Sequence, residues 1–170
     1  MATVFCSHSE MVDIEKVIPN PKNPNKHPNK QIDLLAKIIA AQGWRAPITV
    51  SKRSGFIVRG HGRLLAARKL GLEQVPVDLQ DYDSEAAEWA DLIADNRLSE
   101  LSDVDMVMMK DLLQEIDTGE IDIEVTAYTA DEIEQMMTAA CPLNLDETKP
   151  KPDGDVKTYH CPKCGFEFEA

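Results

Sequence analysis

Three groups of residues have types and spacings that could do chemistry: Gly60-His61-Gly62-Arg63, Asp95-Asn96-Arg97, and the pair Cys161 and Cys164. The first precedes a basic helical run. Where a glycine turn enters a helix, the first backbone amides have no intrahelical partner and the helix dipole adds partial positive charge, so anions settle there. Arg63 would clamp a phosphate in a bidentate way, with Arg59 and Arg68 strengthening the field. His61 could bond a phosphate, or exchange a proton near neutral pH. Spacing alone fits a ligand-free tight turn equally well. Taken by themselves, Asp95, Asn96 and Arg97 read as a helix end in solvent. Cys161-Pro162-Lys163-Cys164-Gly165 is a knuckle offering two of the four ligands of a structural Zn2+. The rest would come from Cys141, His160, Cys6 or His8, or from a second chain's identical pair. The alternatives are a degenerate knuckle without metal and a redox-active dithiol.

The elements that must hold these residues follow from apolar spacing and breakers. Met11 to Ile18 alternates as a short strand, and Asn20 to Asn29, with Pro21, Pro24 and Pro28, is an exposed basic loop. Ile32, Leu35, Ile38 and Ile39 predict a helix from about Lys30 to Gln42, closed by Gly43. Pro47 to Val50 and Phe56 to Val58 predict a hairpin around Gly55. After the glycine turn, Arg63 to Leu70 predicts a helix, and Val75 to Val77 another strand. Helices follow from Ser84 toward Arg97, from Asp103 to Ile116, and from Ala130 to Ala139, the last introduced by a Thr129/Glu132 capping box. Residues 142–157 read as a linker, and Tyr159, Phe166 and Phe168 suit a small metal-dependent hairpin.

Charge divides the chain. Residues 14–72 hold twelve Lys or Arg against two acidic residues, whereas residues 73–147 hold twenty-two Asp or Glu against Arg97 and Lys110. The first segment is an electrostatic footprint for phosphate, and the second would repel duplex DNA or attract the first within the fold. No apolar run reaches the length of a membrane span, and the N-terminus lacks a secretory pattern, so a soluble cytoplasmic protein is expected.

The ordered series Ile18-Pro19-Asn20-Pro21, Ala46-Pro47-Ile48-Thr49-Val50, Ile57-Val58-Arg59-Gly60-His61-Gly62-Arg63, Gly71-Leu72, Val75-Pro76-Val77 and Asp95-Asn96-Arg97 resembles the ParB/sulfiredoxin superfamily in its ParB-like N-terminal form. That resemblance implies an α+β fold, a small mixed sheet packed with helices, over residues 11–100. It would be followed by acidic helices (101–141), the linker, and the zinc-knuckle hairpin (158–170). It also implies nucleotide phosphates at Gly60, His61, Gly62 and Arg63, with Asn96 and Arg97 contributing. Asp95-Asn96 resembles the Glu-Asn motif that supports Mg2+ and hydrolysis in partition proteins, which makes His61 and Asp95 candidate catalytic groups and Asn96 a candidate magnesium ligand. His61 stands where a sulfiredoxin needs its cysteine, so sulfinic acid repair is not expected. Partition proteins resemble Gly-Glu-Arg-Arg at the turn; here only the last arginine is kept. The last helices resemble the short tail of phage and methylase-associated members, which implies no DNA-reading helix-turn-helix.

The function expected first is binding of ATP or CTP with Mg2+ by a DNA-associated protein, with NTPase or phosphotransfer activity. The alternatives are a DNA-binding protein or nuclease of a phage or mobile element, and a non-enzymatic scaffold. Expected partners are nucleotide and DNA, a second copy of the chain, and a methyltransferase or packaging protein, with no membrane.

Overall fold

The computed structural model describes residues 2–138, 158–160 and 167–169. The first strand, β1 (Glu10–Asp13), gives way to a 3-10 turn at Ile14–Lys16, where the sequence predicts strand through Ile18. The reason is burial: Ile14 and Val17 both belong to the core, and residues three apart point to opposite faces of a strand but to one face of a 3-10 turn. Helix α1 spans Asn29–Gln42 and ends on Gly43, whose φ is +71°. Strands β2 (Ile48–Ser51) and β3 (Ile57–Arg59) form the expected hairpin. Helix α2 (His61–Lys69) and β4 (Gln74–Gln80) follow. β4 outruns its predicted span because Val75 and Val77 face the core while Asp78 and Gln80 lie on the partly open face, an alternation that hides a strand's polar end.

The sheet order is β1-β4-β2-β3, with β2 and β4 parallel and both outer pairs antiparallel. The β3–α2 segment is the crossover that parallel pairing requires. Helices α1 and α2 pack together, and Trp44, Ile48, Ile57, Leu64 and Val75 lie at the centre of the core. Residues before Met11, given no element by sequence, join this core: Phe5 and Cys6 amides bond the Trp44 carbonyl and the Trp44 amide bonds that of Thr3.

Three more helices follow, α3 (Glu85–Glu100), α4 (Met106–Ile116) and α5 (Ala130–Thr138), with a 3-10 turn at Ile123–Thr126 between the last two. Thr129 and Glu132 make the predicted capping box, Glu132 Oε2 accepting from the Thr129 amide at 2.7 Å. The described part of the acidic extension, through Thr138, belongs to the same compact unit, residues 1–139. Its 3-10 turn packs on α1, where Lys37 pairs with Asp122 (2.8 Å) and with Glu124. Among the described residues no helix is long and apolar enough to cross a membrane.

In the second unit, residues 140–170, β5 (Thr158–His160) and β6 (Glu167–Glu169) pair antiparallel, Tyr159 opposite Phe168. Cys141, Cys161, Cys164 and the linker expected over 142–157 lie outside the described residues.

Candidate functional site

The glycine turn joins β3 to α2, and the helix begins two residues earlier than its apolar pattern predicts. Gly60 is the N-cap, with φ +95° and ψ 25°, a left-handed conformation that L side chains rarely adopt. It has no side chain to cap the helix, so the first amides of α2 remain donors for a ligand; the Leu64 amide is the one that closes back on the Gly60 carbonyl, at 3.1 Å. A Cβ at Gly60 would stand 3.0 Å from Arg63 Nη1 and 3.4 Å from Ile48 Cα. Gly62 is already helical and buried, and a Cβ there would meet Leu35 Cδ1 at 3.0 Å and His27 Nδ1 at 3.3 Å. Bare backbone at Gly62 thus lets α1 and the proline-rich loop close on the start of α2.

These walls line a cavity of about 190 Å³ that is open to solvent. Gly60, His61, Gly62 and Arg63 form one side, Asp95 and Asn96 of α3 the second, and Asn23 and His27 of the loop the third. The volume is smaller than the ~300 Å³ at which small-molecule pockets begin, so it suits an anionic group with the rest of a ligand outside.

Two site side chains are already engaged. Arg63 donates through Nη1 to the Pro47 carbonyl, fastening the turn to the start of β2. Burial works against its charge, while Asp95 and Cys6 nearby favour it. A guanidinium has five N–H donors, so the Pro47 contact leaves others for the cavity. His61 accepts the Asn20 amide at Nε2, 3.2 Å away. Burial, reinforced by His27, lowers its pKa from the ordinary 6.5 to about 4, so the ring is neutral at pH 7. That differs from the expectation of a proton exchanger near neutrality: Nε2 is an occupied acceptor, which places the ring proton on Nδ1. Folding that holds a histidine neutral is most stable above its unfolded pKa and loses that contribution as pH falls toward the folded value. Stability should therefore fall as the pH drops from 7 toward 4, with carboxylates held low by their partners, such as Asp91, adding to the loss; urea unfolding at both pH values, with a smaller drop in His61→Asn than in wild type, checks it.

The remaining expected residues separate. Asp95 and Asn96 reach the cavity; Arg97, one step round the helix, pairs with Glu100 at 2.8 Å and does not line it. Arg59 bonds Asp91 and lies 3.7 Å from Asp95 through Nε, and Arg68 stands in the last turn of α2, so neither is a free phosphate clamp. At least seven of the twelve basic residues of the 14–72 segment form ion pairs, mostly with the acidic half.

Sequence reasoning assigned no role to the loop wall. Asn20 is buried, 6% exposed; its Oδ1 accepts the Lys22 amide at 2.9 Å and its Nδ2 has no hydrogen-bond partner among the described residues. His27, within the loop that the sequence predicts to be exposed, closes against Gly62 and bonds Gln31 at 3.0 Å. The prolines signal a loop there, but not the direction in which it folds.

Comparison with known proteins bears on the family and the fold. Residues 3–96, more than half of the chain, match the ParB N-terminal domain model. The ParB-like nuclease domain-containing protein YnaK of Escherichia coli is 33% identical over 64 residues, 38% of this chain and 72% of that protein. A probable chromosome-partitioning protein ParB of Campylobacter jejuni is 29% identical over 112 residues, 64% of this chain but 40% of its own length. Among solved structures, C-terminally truncated ParB of Caulobacter crescentus, complexed with CTP-gamma-S, superposes with a TM-score of 0.54 at 23% identity, covering 75% of this chain and 69% of that one. This last likeness is one of fold. With the mixed sheet, the crossover through a glycine-capped helix and the matched residues in agreement, the chain belongs to the ParB N-terminal domain family.

Proposed function

We propose that the Gly60–Arg63 turn binds the phosphates of a nucleoside triphosphate, CTP or ATP, within a DNA-associated ParB-like protein. The observation that carries this is an uncapped α2 N-terminus opening on a cavity that Arg63 also lines. The Caulobacter relative in complex with CTP-gamma-S supports the choice of ligand. Mg2+ fits as a companion: it is a hard cation usually held by one or two protein oxygens plus substrate phosphates, and Asp95 and Asn96 offer oxygens at the cavity. When bound it would neutralise phosphate charge. His61 would donate its Nδ1–H to a phosphate oxygen, and the anion would raise the pKa of the ring above its ligand-free value. Because Asp95 is paired with Arg59, the site is proposed to bind nucleotide with slow turnover or none. Calorimetric titration with CTP and ATP in Mg2+ tests this; no heat of binding to either at millimolar concentration would reject it.

DNA association is favoured by the chromosome-partitioning relative, but the ion pairs restrict its strength. Five of the twelve basic residues, Lys22, Lys26, Arg45, Arg63 and Arg68, make no ion pair with an acidic side chain among those described. If these set the number of phosphates contacted, log K against log salt for duplex DNA should have a slope no steeper than about −4.5. A steeper slope would mean that the acidic half releases the basic one on binding.

A further inference from the structure

Helix α3, which brings Asp95 and Asn96 to the cavity, is attached to the sheet through carboxyl groups as well as through Leu92. Glu88, Asp91, Leu92 and Asp95 share one face of the helix, at spacings of three, four and seven. Leu92 and Glu88 are its buried residues among those described. Asp91 bonds Arg59 and accepts from the Tyr82 hydroxyl at 2.7 Å. Glu88 is the deepest member, 1% exposed. Its Oε2 accepts from Ser51 Oγ at 2.8 Å, its Oε1 from Ser54 Oγ at 2.7 Å, and Arg53 Nε lies 3.5 Å from Oε2. The same hydroxyls order the β2–β3 turn, Ser51 Oγ accepting the Arg53 amide and Ser54 Oγ the Phe56 amide. One carboxyl group thus fixes both the hairpin turn and the start of α3.

We infer that Glu88, through Ser51 and Ser54, is the positioning residue that seats α3 so that Asp95 and Asn96 face the Gly60–Arg63 turn, and that it thereby sets nucleotide affinity. This rests on the reading of that turn as a nucleotide site. Losing the carboxyl group leaves two hydroxyls and a guanidinium without their acceptor and lets the helix lift. A site whose competent state is only fractionally populated binds more weakly by that fraction.

Trp89, beside Glu88, reports the seating directly, because Lys22 Nζ of the loop lies 3.7 Å from its ring centre. The other tryptophan, Trp44, is 1% exposed and silent to an aqueous quencher. The test combines calorimetric titration of the full chain with CTP and ATP in Mg2+, acrylamide quenching of tryptophan fluorescence, and thermal melts, for wild type, Glu88→Ala, Glu88→Gln and Ser54→Ala. Glu88→Ala is expected to melt cooperatively, expose Trp89 to quencher, and bind nucleotide about tenfold more weakly, with saturating nucleotide restoring Trp89 protection. Glu88→Gln keeps the shape and should lose about threefold. If Glu88→Ala does not fold, Ser54→Ala decides, with an expected loss of about two- to threefold and a rise in quenching. A merely structural role would lower the melting temperature and leave the affinity of the folded protein unchanged, and wild-type affinity in Glu88→Ala or Ser54→Ala overturns the inference. If wild type binds neither nucleotide, the reading of the turn fails instead, and quenching alone still decides whether Glu88 seats α3: unchanged quenching in the variants refutes that too.

Discussion

Replacing Arg63 with alanine should weaken nucleotide binding by about 10²- to 10³-fold while leaving the protein folded. Arg63 is the cavity-lining arginine that makes no ion pair among the described residues; Arg59, also at the cavity, is tied to Asp91 and Asp95. Two charge-assisted bonds to phosphate are worth about 3–4 kcal/mol together, and each 1.4 kcal/mol is roughly tenfold in affinity. The fold loses less. Truncation removes the bond to the Pro47 carbonyl, a net contribution of about 1 kcal/mol, without opening the core, since Leu64, Ala66 and Ala67 keep α2 packed. Arg63→Lys retains the charge but not the planar fork, and should lose roughly tenfold. Calorimetric affinities beside circular dichroism melts separate the two effects. Equal affinity in wild type and Arg63→Ala would remove the phosphate clamp from the account.

The second large effect is expected at Gly60. Gly60→Ala forces a Cβ into a backbone conformation with φ +95°, which costs about 1–3 kcal/mol, and places it against Arg63 Nη1 and Ile48 Cα. The guanidinium is a flexible end and will move, so the substitution should also reduce nucleotide affinity by about tenfold by pulling Arg63 from its anchor. Gly55→Ala is the matched control: Gly55 also has positive φ, +75°, but an added Cβ there meets nothing within 4 Å. Both variants should be less stable in urea; only Gly60→Ala should lose affinity. Gly62→Ala differs again. Its backbone is helical, alanine favours a helix by about 1 kcal/mol, and the close contact is the flexible end of Leu35. Its stability should stay near wild type. If Gly60→Ala and Gly55→Ala behave alike in both assays, Gly60 does not hold Arg63.

Much of this site is legible along the chain because the glycine turn, the hairpin before it and the helix after it are local features. Strand period, Gly55 and the capping box at Thr129 each signal their structure within a few residues. The third wall is different. Asn20, Asn23 and His27 reach the turn across some forty residues of sequence, and nothing in a proline-rich polar loop says which way it folds back. Arg97 shows the limit of reading adjacent residues as a group, since each helical step turns the side chain by about 100° and takes it off the cavity that Asn96 lines. Net charge misleads in a similar way. The basic 14–72 segment looks like a face for nucleic acid, yet Lys37, Arg53 and Arg59 pair with Asp122, Glu88 and Asp91. A sequence reports the charges but not their partners.

The central claim, that the free amides at the start of α2 hold phosphate, is tested most directly by amide NMR of the ¹⁵N-labelled protein titrated with CTP or ATP in Mg2+. The largest shifts should fall on His61, Gly62 and Arg63, with smaller ones at Asn23 and Asn96 across the cavity. Saturation without movement of these amides, or shifts confined to other parts of the fold, would contradict it.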